Sequence, residues 1–238
     1  MTMTLSSFPQ GGAAIIIGSS GGIGSALLEA LHASARFDAV IGLSRTSEPS
    51  IDLAEESTIA AAAEHVAGLQ VPVRLVVVAS GILQGQGIAP EKTWRHLDAA
   101  AMQRSFLVNA IGPALVAKHF LPLLPREGKA VFAAISAKVG SIGDNRLGGW
   151  YSYRASKAAL NQLLRTAAIE LSRTRPDAIC ATLHPGTVAT PLSQPFRGSA
   201  PSVVDPDEAA VRLLHVIDRL TPEQTGRLVD HSGEILPY

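Results

Sequence analysis

Tyr153 and Lys157 stand four residues apart in the run Tyr153-Arg154-Ala155-Ser156-Lys157, which opens a strongly helical segment. That spacing puts a phenol and an ammonium on one helix face, one turn apart. A free tyrosine, with a pKa near ~10, is a poor acid–base group at neutral pH. A lysine beside it favours the phenolate and lowers that pKa toward the working range. Taken alone, the pair also describes an interfacial tyrosine above a solvated lysine. Tyr151 has no such partner, because Ala155 lies four residues beyond it. A second place for chemistry is Gly18-Ser19-Ser20-Gly21-Gly22-Ile23-Gly24, which follows the apolar run Ala13–Ile17. Glycines let a backbone turn tightly and approach a pyrophosphate, and the helix N-terminus that follows offers unpaired N–H groups and partial positive charge. Such turns also occur for structural reasons alone. The position after a first strand, opening an amphipathic helix, points to a nucleotide. The next apolar run ends Gly42-Leu43-Ser44-Arg45, without the acid that holds the ribose hydroxyls of NAD. The planar fork of Arg45 can pair with a 2′-phosphate, and Ser44 can add a hydrogen bond, which favours NADP over NAD. A solvated arginine on a loop is the competing account.

These groups need a frame that gathers strand ends on one side. Candidate strands are Ala13–Ile17, 38–43, 74–78, 129–135 and 177–183, with a late one near 227–230. Their nearly continuous apolar character suits parallel strands covered on both faces. Helical patterns lie between them: Ile23, Leu27 and Leu31 recur every four residues, and Leu160, Leu163, Leu164 and Leu171 repeat at the three-, four- and seven-residue spacings of one helix face. Asp205-Pro206-Asp207-Glu208 reads as a helix start, with Asp205 as cap, proline in the first turn and Glu208 at the capping-box position. Strand–helix alternation predicts right-handed crossovers and a doubly wound α/β sheet in one domain spanning 1–238. Residues 1–11 are expected to be flexible. The segment 191–206, with Pro191, Pro195, Pro201 and Pro206, is expected to be a mobile substrate loop. Residues 44–57 leave room for at most a minimal edge strand around 50–53.

Composition narrows the function. The chain has 238 residues, 47% of them hydrophobic and only 17% charged, which excludes a disordered protein. Twenty basic and twenty acidic residues balance, so it is not built to coat nucleic acid or an anionic membrane. One cysteine, Cys180, excludes an internal disulfide and a cysteine-built zinc site, and no metal is expected. No apolar run approaches the ~18–20 residues of a membrane span, and the start MTMTLSSFPQGG lacks the features of a signal peptide. A cytoplasmic location is the expectation.

Together these residues resemble the short-chain dehydrogenase/reductase family over essentially the whole chain. The resemblance rests on Gly18-x-x-x-Gly22-Ile23-Gly24, Asn109-Ala110-Ile111-Gly112 within a long helix, Ser136 at a strand end, Tyr153-x-x-x-Lys157, and Pro185-Gly186-Thr187-Val188-Ala189-Thr190 after a strand, in that order. It implies a Rossmann-type sheet and four catalytic residues. Tyr153 would be the general acid/base, and Lys157 would tune it and hold the nicotinamide ribose. Ser136 would polarise the substrate carbonyl, and Asn109 would hold a water relaying protons from Lys157. Gly18, Ser20, Gly22, Ile23 and Gly24 would carry the pyrophosphate, with Ser44 and Arg45 at the 2′-phosphate. Asp52 and Leu53 resemble the pair set against adenine, and Ala79, Ser80 and Gly81 the stretch beside the adenosine ribose. Pro185, Gly186, Val188 and Thr190 would frame the carboxamide. His184 reads as a packed core histidine.

Three departures from the family pattern stand out. Ala79-Ser80-Gly81 replaces an asparagine-rich stretch, and residues 141–150 form an insertion beside the pocket. The third strand and its preceding helix look shortened or missing. These features resemble the C-factor-like cell–cell signalling subgroup. The leading expectation is NADP(H)-dependent hydride transfer to or from a small carbonyl or alcohol, with a homodimer or homotetramer formed through helices near 98–125 and 153–174. The alternative is a nucleotide-binding signalling or scaffold protein without turnover. A weaker third is an epimerase or dehydratase using transient oxidation. Trp150, Tyr151, Leu147, Leu192 and Phe196 are expected to form an apolar substrate wall.

Overall fold

The computed structural model describes residues 4–85, 88–195 and 202–238. The apolar runs form β1 (Ala13–Ile17), β2 (Ala39–Leu43), β3 (Val73–Val78), β4 (Ala130–Ile135), β5 (Ala178–His184) and β6 (Leu228–Asp230). A short β7 (Ile235–Leu236), not anticipated from the sequence, closes one edge. The seven strands form one sheet in the order β2-β1-β3-β4-β5-β6-β7, parallel except for the antiparallel β6–β7 pair. Register explains why both faces of each strand are apolar. Ile15, Val76, Phe132 and Cys180 lie side by side in one row, and Ile16, Val77, Ala133 and Ala181 in the next. Because strand side chains alternate between faces, the first row points to one helical layer and the second to the other.

The first row packs under α2 (Glu56–Ala67), α4 (Gly112–Phe120) and α5 (Tyr151–Ser172), through Ile59, Phe120 and Leu164. The second packs under α1 (Gly22–Ser34) and α6 (Pro206–Arg219), through Leu27, Leu31 and Leu213. Leu5 and Phe8 are fully buried in this second layer, so the packed chain begins before residue 11 and the expected flexibility of residues 1–11 does not extend to them. Phe8 meets Phe37 edge to face at 5.6 Å.

The expected shortening after β2 is present. The chain passes directly from β2 through a loop to α2, and β2 is the free edge of the sheet. The minimal edge strand around 50–53 does not form. Ile51 instead hydrogen-bonds back to the Ser44 carbonyl at 2.9 Å, and Ile51 and Leu53 fold inward as core residues. Asp205 occupies the cap position of α6 but makes no side-chain capping bond; the capping box lies at Thr221 and Gln224.

α3 (Ala99–Phe106) and α4 run on through a π-helical turn over Leu107–Ile111. The stretch Ala99–Leu123 is long and apolar enough by composition to cross a bilayer, with a mean hydropathy of 1.4. Here it packs beside α2 and α5 as a layer of the fold. β1 pairs with β2 on one side and β3 on the other, so crossovers leave in opposite directions there. A crevice opens at the strand C-termini of such a switch point.

Candidate active site

The crevice is a cleft of about 860 Å³ lined from both sides of the switch point. At its centre the glycine turn is tied to the end of β2, with the Gly18 and Ser19 amides donating to the Leu43 carbonyl at 2.8 and 3.2 Å. α1 then begins with no side-chain cap and no acidic residue in its first turn. Its unpartnered amides and positive dipole end are therefore open to an anion. Gly18, Ser20, Gly22 and Ile23 line the cleft as expected. Gly24 does not. It is buried behind the turn, where a Cβ would sit 2.1 Å from the Gly18 carbonyl oxygen, so only hydrogen fits.

On the β2 side, Ser44, Arg45, Asp52 and Leu53 reach the wall. The Ser44 hydroxyl is already engaged, accepting from the Thr46 amide at 3.2 Å and lying 3.1 Å from the Thr46 hydroxyl. Arg45 is exposed and has no ion-pair partner among the described residues. Asp52 turns its carboxylate onto the Ala54 amide at 2.9 Å. Leu53 lies against Gly112, where a Cβ would come within 2.6 Å of its own, so the glycine of the Asn109–Gly112 motif admits the loop after β2 to α4. The Ala79 amide bonds Ile17 at 2.7 Å, carrying Ser80 and Gly81 along the cleft floor.

Three of the four expected catalytic residues, Ser136, Tyr153 and Lys157, converge on the cleft from two elements. Ser136 follows β4 and is nearly sealed, with Oγ donating to Asn161 Oδ1 at 2.8 Å. Lys157, also buried, extends under the cleft to the Ile135 carbonyl at 2.8 Å. Tyr153 is half-buried, its ring edge-to-face with Trp150 at 6.2 Å and its centroid 5.8 Å from Lys157 Nζ. Desolvation dominates both titrations: burial pushes the Tyr153 phenol up to about 12 and the Lys157 ammonium down to about 8. The phenol is thus raised by its burial, where the sequence led to the expectation of a lowering by Lys157.

Asn109 is not on the cleft surface. It is fully buried within the π turn, and its amide clamps Ile82 reciprocally, donating to the carbonyl and accepting from the amide, both at 2.8 Å. The same Nδ2 lies 3.3 Å from Ser105 Oγ and 3.2 Å from Ser156 Oγ. The Asn109 side chain thereby fixes the loop beside Gly81. The π turn supplies the offset that points it there.

Pro185, Gly186, Val188 and Thr190 line the far wall, as do Pro191, Leu192 and Ser193 from the expected loop. The end of that loop is pinned by Ala189 and Val204, amide to carbonyl at 2.8 Å; Phe196 lies outside the described residues. Leu147, Trp150 and Leu192 line the wall while Tyr151 does not.

Three features escaped the sequence reading. His184 is a cleft residue rather than a core one, and burial with His231 nearby pushes it down to about 4, so it is neutral. Lys138, Arg146 and Arg154 bring positive charge to the wall beside the 141–150 insertion, opposed by Asp144. Glu91, buried and sixty-one residues from its partner, accepts hydrogen bonds from the Ser152 amide and hydroxyl and gives its carbonyl to Trp150. It caps the helix that carries Tyr153 and Lys157, and no local pattern announces it.

The short chain dehydrogenase family model matches residues 12–200. A curated relative, 1-hydroxy-2-glutathionyl-2-methyl-3-butene dehydrogenase of Rhodococcus sp. strain AD45, is 32% identical over 236 residues, covering 94% of this chain and 98% of its own. C-signal of Myxococcus xanthus is 38% identical over 144 residues, covering 60% and 81%. The crystal structure of NADPH-bound carbonyl reductase from chicken fatty liver shares the fold, with a TM-score of 0.85, 23% identity, and coverage of 96% of this chain and 95% of that one. On the match to its family model and on the Rhodococcus relative, the chain belongs to the short-chain dehydrogenase family.

Proposed function

We propose that the protein is an NADP(H)-dependent oxidoreductase that interconverts a carbonyl and an alcohol, with Tyr153 as the general acid/base. The observation that carries this reading is the convergence of Tyr153, Lys157 and Ser136 on one cleft with the uncapped N-terminus of α1. The chain's features fit a dinucleotide: a glycine turn closed to any side chain at Gly24, open helix amides for a pyrophosphate, and a guanidinium at Arg45 with no ion-pair partner among the described residues. When bound, NADP supplies or accepts the hydride. Tyr153, held protonated at neutral pH by burial, would give its proton to the reduced oxygen. Lys157 would place positive charge under it and hold the ribose, and Ser136 would polarise the carbonyl. Several solved structures of the same fold hold NADP or NADPH, which supports this cofactor.

The test is NADPH consumption across a panel of aldehydes and ketones, with NADH in parallel. Arg45→Ala is expected to weaken NADPH binding about 10- to 100-fold and leave NADH binding unchanged, the cost of one charge-assisted contact to phosphate. Equal loss for both cofactors in a fluorescence titration would remove the 2′-phosphate assignment. The pH profile carries its own sign. Lys157 is charged below about 8 in the free protein, so kcat/KM for NADPH is expected to hold through neutral pH and fall above about 8.

The substrate side is apolar at Leu147, Trp150 and Leu192 and cationic at Lys138, Arg146 and Arg154. That pairing favours substrates with an anionic group remote from the reacting carbon, and the Rhodococcus relative is named for a glutathionyl alcohol. Exposed Ile111, Leu163 and Ile169 on the π turn and α5 support self-association of the chain through these helices. The likeness to C-signal favours a second reading, cofactor binding that serves signalling without turnover. In that case NADPH binds and the whole carbonyl panel stays inert.

A further inference from the structure

Tyr153, Lys157 and Asn161 follow one another at four-residue steps, so a single face of α5 carries all three toward the end of β4. Asn161 is 2% exposed, and the one side-chain hydrogen bond it makes among the described residues joins it to Ser136, whose Oγ lies 2.8 Å from Oδ1. In that arrangement the serine proton is spent on Asn161, leaving Ser136 only lone pairs to offer a substrate oxygen. It also leaves Asn161 Nδ2 buried with no acceptor among the described residues. A buried donor without a partner is destabilising, because it loses its hydrogen bond to water and gains none in return. Turning the carboxamide by half a revolution exchanges two groups of nearly equal size and removes both difficulties. Nδ2 then donates to Ser136 Oγ, the orphan becomes a carbonyl, which tolerates lack of a partner better, and the Ser136 proton is released toward the cleft.

We propose that Asn161 is a positioning residue for the reaction, acting as donor to Ser136 Oγ so that the serine hydroxyl proton points at the substrate carbonyl oxygen. This rests on the reductase reading. It assigns the direction of the serine hydrogen bond to a residue outside the Asn109, Ser136, Tyr153 and Lys157 set.

Asn161→Asp is the sharpest probe. An ionised carboxylate of the same shape only accepts, so it holds the Ser136 proton permanently. Carbonyl reduction is expected to fall about 10²- to 10³-fold in kcat, matching Ser136→Ala, with KM for NADPH unchanged. Asn161→Leu, which offers no acceptor, leaves the serine proton free to rotate and is expected to lose less than Asn161→Asp. In a Ser136→Ala background neither substitution should lower kcat further, because the proton they act on is gone. A packing role alone predicts the reverse order of severity and losses that add to that of Ser136→Ala.

Wild-type kcat in both Asn161 variants, or full additivity with Ser136→Ala, overturns the proposal. If Asn161→Asp fails to fold by circular dichroism, the Asn161→Leu cycle decides alone. A loss confined to the Ser136-containing background supports the proposal, and no loss there overturns it. A wild-type protein inert on every carbonyl, with Tyr153→Phe indistinguishable from it, overturns the reductase reading and this inference together. A turning-over wild type with neutral Asn161 variants overturns only the inference.

Discussion

Tyr153→Phe is expected to abolish carbonyl reduction, lowering kcat by about 10²- to 10⁴-fold, the usual range for a lost general acid. NADPH binding and the unfolding midpoint should stay close to wild type. The asymmetry follows from where the hydroxyl sits. Its ring packs against Trp150, a contact that phenylalanine keeps, while the hydroxyl has no hydrogen-bond partner among the described residues. Nothing structural is lost with the oxygen. Chemically the loss is large because the cleft offers no ready replacement acid. His184 also lines it, but with a pKa pushed down to about 4 it is neutral at pH 7 and lacks the acidic imidazolium proton. Lys157 is engaged with the Ile135 carbonyl beneath the site. Stopped-flow measurement of NADPH oxidation, beside a fluorescence titration of binding, separates the two effects. A variant that reduces substrate at more than a tenth of the wild-type rate would take Tyr153 out of the proton-transfer role.

Gly24→Ala should do the opposite, removing cofactor binding through structure rather than chemistry. The added methyl would lie 2.1 Å from the Gly18 carbonyl oxygen and 2.8 Å from its carbonyl carbon. Both neighbours are backbone, so no side chain can swing aside. The turn itself must move, and it is tied through Gly18 and Ser19 to the end of β2. Overpacking of this kind costs about 1–3 kcal/mol in stability. The larger consequence is expected in binding, because displacing the turn redirects the α1 amides. NADPH affinity should fall at least about 100-fold, corresponding to about 2.7 kcal/mol. Isothermal titration calorimetry with a thermal melt checks this, and unchanged affinity would mean the turn does not carry the pyrophosphate.

Both predictions start from residues visible in the sequence, for different reasons. Tyr153 and Lys157 are legible because helical periodicity alone puts residues four apart on one face. The glycine turn is legible because the need for backbone without Cβ leaves a residue-type signature. The missing edge strand is legible from lengths, since residues 44–57 are too few for a helix and a strand. Local reading went wrong where tertiary contacts overrule local propensity. Leu5 and Phe8 sit in a polar N-terminal stretch that reads as flexible, yet a hydrophobic layer takes them up. Residues 50–53 read as a strand but had no neighbour strand to pair with and turned their apolar side chains inward instead.

The sequence by itself determined the fold class, the alternation of strands and helices and the residue types able to move a proton and cradle a pyrophosphate. Those properties are written in spacing and in side-chain chemistry, which are local. Only the tertiary structure decided what each group faces. It buried Asn109 behind Gly81 as a clamp on Ile82, set Glu91 at the head of α5, brought His184 into the cleft and joined Ser136 to Asn161. It also set the titration of Tyr153, whose burial pushes the phenol up to about 12 with Lys157 Nζ 5.8 Å from its ring. Hydrogen-bond partners and solvation are set by chains meeting across tens of residues, and sequence periodicity carries no record of those meetings.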